Sequence, residues 1–135
     1  MEDLKIGQHA QFTLKLTKKS HEEFKQFSGD TSPVHNDDEF AQTAGFDERI
    51  AYGFHILSYF SRFYGTVLPG GSSICLSQTA KFTKPVYIGE EITVKGTIIH
   101  MNPHIKTVTI KNEVLNSKGE VCVLGEAVVK IVEGL

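Results

Sequence analysis

The chain has 135 residues, 40% of them hydrophobic, which is enough for one ordinary compact core and, at this length, for a single domain spanning 1–135. Its 14 Lys and Arg against 16 Asp and Glu leave a formal net charge of -2, so there is no basic excess to neutralise a nucleic-acid backbone or an anionic membrane. No apolar run approaches the roughly 20 residues needed to span a bilayer, and Met1-Glu2-Asp3-Leu4-Lys5 lacks the apolar stretch of a signal peptide; the expectation is a cytoplasmic protein.

Ala10, Phe12, Leu14 and Leu16 alternate, which predicts a half-buried strand. Ser20 with Glu23 reads as a capping box opening a helix, Phe24 and Phe27 give it an apolar face, and Gly29 suits its end. Pro33 removes a donor and biases Ser32 away from helical geometry, so Asp30 to His35 is expected as an ordered loop rather than regular structure. Asn36 or Asp37 then caps a short helix through Phe40, Ala41 and Ala44, which Gly45 ends, and Phe46 to Tyr52 is a second loop.

From Gly53 the apolar residues Ile56, Phe60, Phe63, Tyr64 and Val67 recur at spacings of three and four, with Leu57 widening the stripe. A helix from Gly53 to Val67 is about 22 Å long, enough to cross a small sheet. Leu68-Pro69-Gly70-Gly71 stops it. Four alternating segments follow, Ser72 to Phe82, Glu91 to His100, Lys106 to Leu115 and Val121 to Val132, and their short connections require antiparallel pairing. The expected class is α+β, with one long helix on a curved antiparallel sheet.

Cys75 and Cys122 lie in apolar alternating stretches with no CxxC pair, and read as reduced packing residues. His100 and His104 are separated by Asn102-Pro103, which breaks the helical face a metal pair would need, so no metal is expected. His9 and His21 read as surface residues, and His55, one turn into the long helix, as exposed or partly packed.

Asp30 and His35 bracket Pro33 directly after a helix, so both side chains can be aimed at one point. A carboxylate and an imidazole so placed suit acid/base work on a water molecule. On spacing alone the same residues also read as a turn carboxylate and a hydrogen-bonded loop histidine. Gly53, at a helix start, reads either as a donor of its N–H to a developing oxyanion or as a plain helix-start glycine.

The string Phe27-Ser28-Gly29-Asp30-Thr31-Ser32-Pro33-Val34-His35-Asn36-Asp37 resembles the signature of the MaoC-like, or (R)-specific enoyl-CoA hydratase, family. The resemblance continues through Phe40-Ala41, Ile50-Ala51-Tyr52-Gly53-Phe54, Leu68-Pro69-Gly70 and Phe82-Thr83-Lys84-Pro85-Val86-Tyr87-Ile88-Gly89-Glu90, nearly the whole chain. It implies a hot-dog fold over 1–135 and a lyase that hydrates trans-2-enoyl-CoA reversibly to the (R)-3-hydroxyacyl-CoA, with no cofactor. It further implies that Asp30 and His35 activate the water, that Ser61 supports that aspartate, and that Gly53 donates its N–H to the thioester carbonyl.

Tyr64, three residues beyond Ser61 and on the same face, is expected either along the acyl pocket or in the core. The partner expected is an acyl-CoA or acyl carrier protein thioester, and the family points to a homodimer. Two departures from the family pattern stand out: Ser32 where asparagine usually precedes the proline, and Tyr52 where histidine often precedes the glycine. A hydroxyl at either place can still donate a hydrogen bond. The alternatives are a hot-dog acyl thioesterase, a 3-hydroxyacyl-ACP dehydratase and a non-catalytic acyl-thioester binding module. Ala51 to Tyr64 holds no Asp or Glu, unlike the helix of thioesterases of this fold.

Overall fold

The computed structural model describes residue 1 and residues 3–132. In chain order the elements are β1 (His9–Lys15), α1 (Lys18–Ser28), α2 (Pro33–Asn36), α3 (Asp38–Thr43), α4 (Gly53–Thr66), β2 (Ser73–Phe82), β3 (Glu91–Asn102), β4 (Thr107–Leu115) and β5 (Val121–Ile131). The five strands form one sheet in the order β1-β3-β4-β5-β2, every neighbouring pair antiparallel. With the long helix packed on its face, this is the α+β hot-dog arrangement.

Alternation sends Ile92, Val94 and Ile98 of β3 and Ile110 and Val114 of β4 inward, all fully buried. Onto them α4 lays Ile56, Phe60, Phe63 and Tyr64, the stripe read from the three-and-four spacing. Gly96 lets the two layers close, because a Cβ there would stand 2.4 Å from the Phe63 ring. The sheet's other end is different. β2 is an edge strand whose residues are mostly solvent-exposed, Ile74, Leu76 and Phe82 among them, and Cys75 is exposed with it rather than packed. Cys122 is buried.

Four further local expectations need correction. The cap of α1 is Thr17, whose hydroxyl accepts the Ser20 N–H at 3.0 Å, so Ser20 lies inside the helix rather than at its cap. Pro33 does not keep its loop irregular: it occupies the first turn of the short helix α2, where a missing N–H costs nothing. His21 is 1% exposed, not a surface residue, because α1 turns it inward with Phe24, three residues on. His55 is also buried.

Candidate functional site

Gly29 ends α1 in the left-handed conformation (φ 75°), its N–H donating to the Lys25 carbonyl at 2.9 Å, and so turns the chain into Asp30. The Asp30 carboxylate is exposed and accepts the Ser32 N–H at 2.9 Å, closing a local turn. Hydrogen bonds from the backbone and side chain of Ser32, with a smaller electrostatic contribution from His35, hold this carboxyl below its ordinary pKa, on the ionised side.

His35 comes from α2. Its Nδ1–H donates to the Ile50 carbonyl at 2.8 Å, an assignment that follows because a carbonyl can only accept. Nε2 therefore carries the lone pair in the neutral ring, and among the described residues it has no partner. The backbone on each side is tied as well: the Ile50 N–H donates to the Val34 carbonyl at 3.2 Å and the Ala51 N–H to the Val86 carbonyl at 2.7 Å.

That strap leads into α4. Tyr52, the N-cap residue, makes no side-chain cap bond, which leaves the first-turn N–H groups of the helix open. Gly53 is first in the helix, and an added Cβ would lie 2.6 Å from the Phe82 ring, so only glycine lets that ring rest against the helix start. His35, Gly53, Phe54, Phe82, Pro85 and Val86 are among the residues around a cleft of about 470 Å³. His35 and the first residues of α4 thus border one largely apolar space.

Ser61 and Tyr64 lie elsewhere. They line a second cleft of about 260 Å³ with Leu57, Ser73, Cys75 and Gln78, and Asp30 lines neither cleft. Ser61 lies eight positions beyond Gly53 on the helix, about 12 Å along the axis. Ser61 is exposed, and no hydrogen bond joins it to Asp30 among the described residues. Tyr64 is core and cleft wall at once: it is 4% exposed, and its hydroxyl donates to Gln78 Oε1 and approaches Asn112 Oδ1 at 3.2 Å. Burial raises its phenol pKa.

Two further residues, Tyr52, whose hydroxyl was expected to be able to donate, and His21, expected at the surface, hold the segment 30–36 from beneath. The Tyr52 hydroxyl donates to the Asp30 backbone carbonyl and accepts from Asn36 Nδ2 at 2.9 Å, its ring centroid 4.3 Å from that of His35. His21 Nε2 donates to the His35 carbonyl at 2.8 Å. The signal for His21 was its spacing of three from Phe24 on one helical face; nothing local in the sequence pointed to its partner. Among the described residues no three His, Cys, Asp or Glu side chains are grouped to hold a metal ion.

A hot-dog layer with an apolar cleft at the start of its long helix defines the class. Residues 3–118 match the MaoC like domain family, and the chain belongs to it. It is 32% identical over 130 residues to an (R)-specific enoyl-CoA hydratase of Aeromonas caviae, covering 96% of this chain and 97% of that one. A second protein of the same name, from Rhodospirillum rubrum, is 35% identical over 130 residues, 96% of this chain and 90% of that one. Among solved structures, the (R)-hydratase from A. caviae involved in PHA biosynthesis superposes with a TM-score of 0.92 at 32% identity, covering 98% of this chain and 100% of that chain.

Proposed function

We propose that the protein is an (R)-specific enoyl-CoA hydratase, a hydro-lyase adding water reversibly across trans-2-enoyl-CoA. One observation carries the reading: in a chain of this family, His35 and the open N-terminus of α4 at Gly53 face the same apolar cleft. The ionised Asp30 carboxylate and His35 Nε2 hold the water. Its oxygen bonds to C3 as one proton passes to the Asp30/His35 pair, and C2 gains a proton, so the sum is one added water. Negative charge moves onto the thioester oxygen, where the Gly53 N–H is the donor. Hydration transfers no net electrons, so this reading calls on no redox cofactor.

The partner is an acyl-thioester substrate on coenzyme A, and the working form is a homodimer within the cytoplasm. Exposed Ile74 and Leu76 on edge strand β2 support pairing, since open apolar edges are normally covered. Two free thiols suit a reducing compartment, and among the described residues no helix is long and apolar enough to cross a membrane. The test is crotonyl-CoA, monitored for enoyl absorbance and for free thiol together. Hydration predicts falling absorbance without thiol. Thiol release identifies a thioesterase, and binding without either change identifies a non-catalytic module.

A further inference from the structure

The segment that carries Asp30 and His35 spans only one turn of helix and a tight turn, elements too short to hold their own geometry. What fixes it are side chains from outside. Tyr52 spans the segment: its hydroxyl takes the Asp30 carbonyl at one end and the Asn36 amide at the other, while Asn36 Nδ2 also donates to the Ser32 carbonyl at 2.9 Å. His21 reaches from α1 to the His35 carbonyl at 2.8 Å, and its ring stacks on Tyr52 with centroids 4.8 Å apart. Phe24 closes the stack, 4.9 Å from the Tyr52 ring.

Neither ring borders the cleft that His35 lines. Tyr52 is 2% exposed and His21 1%, so neither can touch a substrate there. Because a carbonyl accepts from His21 Nε2, the proton of the neutral ring is on Nε2, and Nδ1 is buried without a partner. A buried group left in that condition is costly unless the bond its other nitrogen makes is worth keeping. Two buried polar side chains thus converge on the backbone of one partly buried seven-residue segment, and on its two reactive positions in particular.

We infer that Tyr52 and His21 are positioning residues, a stacked pair that sets the relative placement of Asp30 and His35 through the backbone carbonyls of those two residues. The inference rests on the hydration reading for its kinetic consequence, though not for its structural one. In this chain a phenol spans the segment, and the His21 ring stacks against it. Small displacements of a reacting group are enough to slow chemistry strongly, while a cleft that neither residue lines should bind substrate as before.

The experiment compares wild type, Tyr52→Phe, His21→Leu and His21→Gln. Tyr52→Phe keeps the ring stack and removes the bridging hydroxyl; His21→Gln keeps a donor near the place of Nε2 and removes the ring. Expected are a fall in kcat on crotonyl-CoA of about tenfold or more for Tyr52→Phe and His21→Leu, KM within about twofold, and recovery to within about threefold of wild type in His21→Gln.

A second readout needs no substrate: the imidazole resonances of His35, assigned by their loss in His35→Ala, should move in Tyr52→Phe and return towards wild type in His21→Gln relative to His21→Leu. If Tyr52→Phe keeps kcat within about twofold and leaves the His35 resonances in place, the positioning role is wrong. So is a fall in kcat matched by an equal rise in KM with unmoved resonances. Should His21→Leu fail to fold, Tyr52→Phe and its His35 resonances decide alone. A folded wild type that hydrates no enoyl thioester overturns the functional reading, and the resonances still decide the positioning role.

Discussion

Replacing Tyr64 by alanine asks whether the second cleft receives the acyl chain. The ring is buried, packs against Phe60 and Phe63, and separates that cleft from the core. Its removal costs about 3–5 kcal/mol of stability by analogy with other buried aromatic truncations, and its hydroxyl leaves Gln78 and the fully buried Asn112 short of a partner. That is a large part of the roughly 5–15 kcal/mol expected for a domain, so urea unfolding must first show a folded protein.

If the cleft of about 260 Å³ takes the acyl tail, the vacated ring volume adds room at its wall. Each methylene newly buried there is worth up to about 0.8 kcal/mol, so four more carbons give at most about 3 kcal/mol, roughly 200-fold in relative kcat/KM. The assay is kcat/KM on four-, six- and eight-carbon enoyl-CoA. Wild type should prefer the shortest, and Tyr64→Ala should shift the preference towards eight carbons. Tyr64→Phe keeps the ring and should keep the wild-type profile, losing only about 1–3 kcal/mol of stability from the polar cluster. Identical chain-length profiles in wild type and a folded Tyr64→Ala would refute the acyl-pocket role and leave Tyr64 as core alone.

Asp30→Asn and His35→Ala should each lower turnover of enoyl thioester by about a hundredfold or more with the fold intact by circular dichroism; near-normal turnover in either removes its assigned role. Burial depresses the His55 pKa below that of the unfolded chain, so its contribution to stability is intact above about pH 6.5 and is lost as pH falls through the lower folded value. His55→Gln should therefore flatten the loss of Tm between about pH 6.5 and 5, and an unchanged slope counts against that origin. Light scattering at assay concentration should report a homodimer; an active monomer defeats the pairing through β2.

The parts legible in the sequence were those whose signal is periodic. The stripe from Ile56 to Tyr64 gave α4, and the alternation of Ile92, Val94 and Ile98 gave β3, because one side of α4, and of β3 as far as Ile98, is buried. Exposed β2 shows the limit of that rule: alternation predicted inward packing for Cys75, but an edge strand leaves it outside, and a bulge between Cys75 and Ser77 shifts its register. Pro33 was misread because the same residue both breaks helices and starts them, and only the bonds around it decide.

Asp30, His35 and Gly53 were legible as candidate residue types, and of these His35 and Gly53 border the first cleft, whereas the bonds that hold them were not legible. His21 reaches the His35 carbonyl across fourteen residues of sequence, and Tyr52 reaches Asp30 across twenty-two, contacts that no local pattern encodes. Ser61 was placed beside Asp30 by resemblance; within one chain it borders the other cleft.

The most direct test of the central claim is the product itself. Wild-type protein incubated with crotonyl-CoA, with Asp30→Asn beside it as the chemical control, should give (R)-3-hydroxybutyryl-CoA by chiral analysis, with the thioester intact and formation nearly abolished in the variant. An (S) product, free acid with released coenzyme A, or equal product from Asp30→Asn would contradict the account.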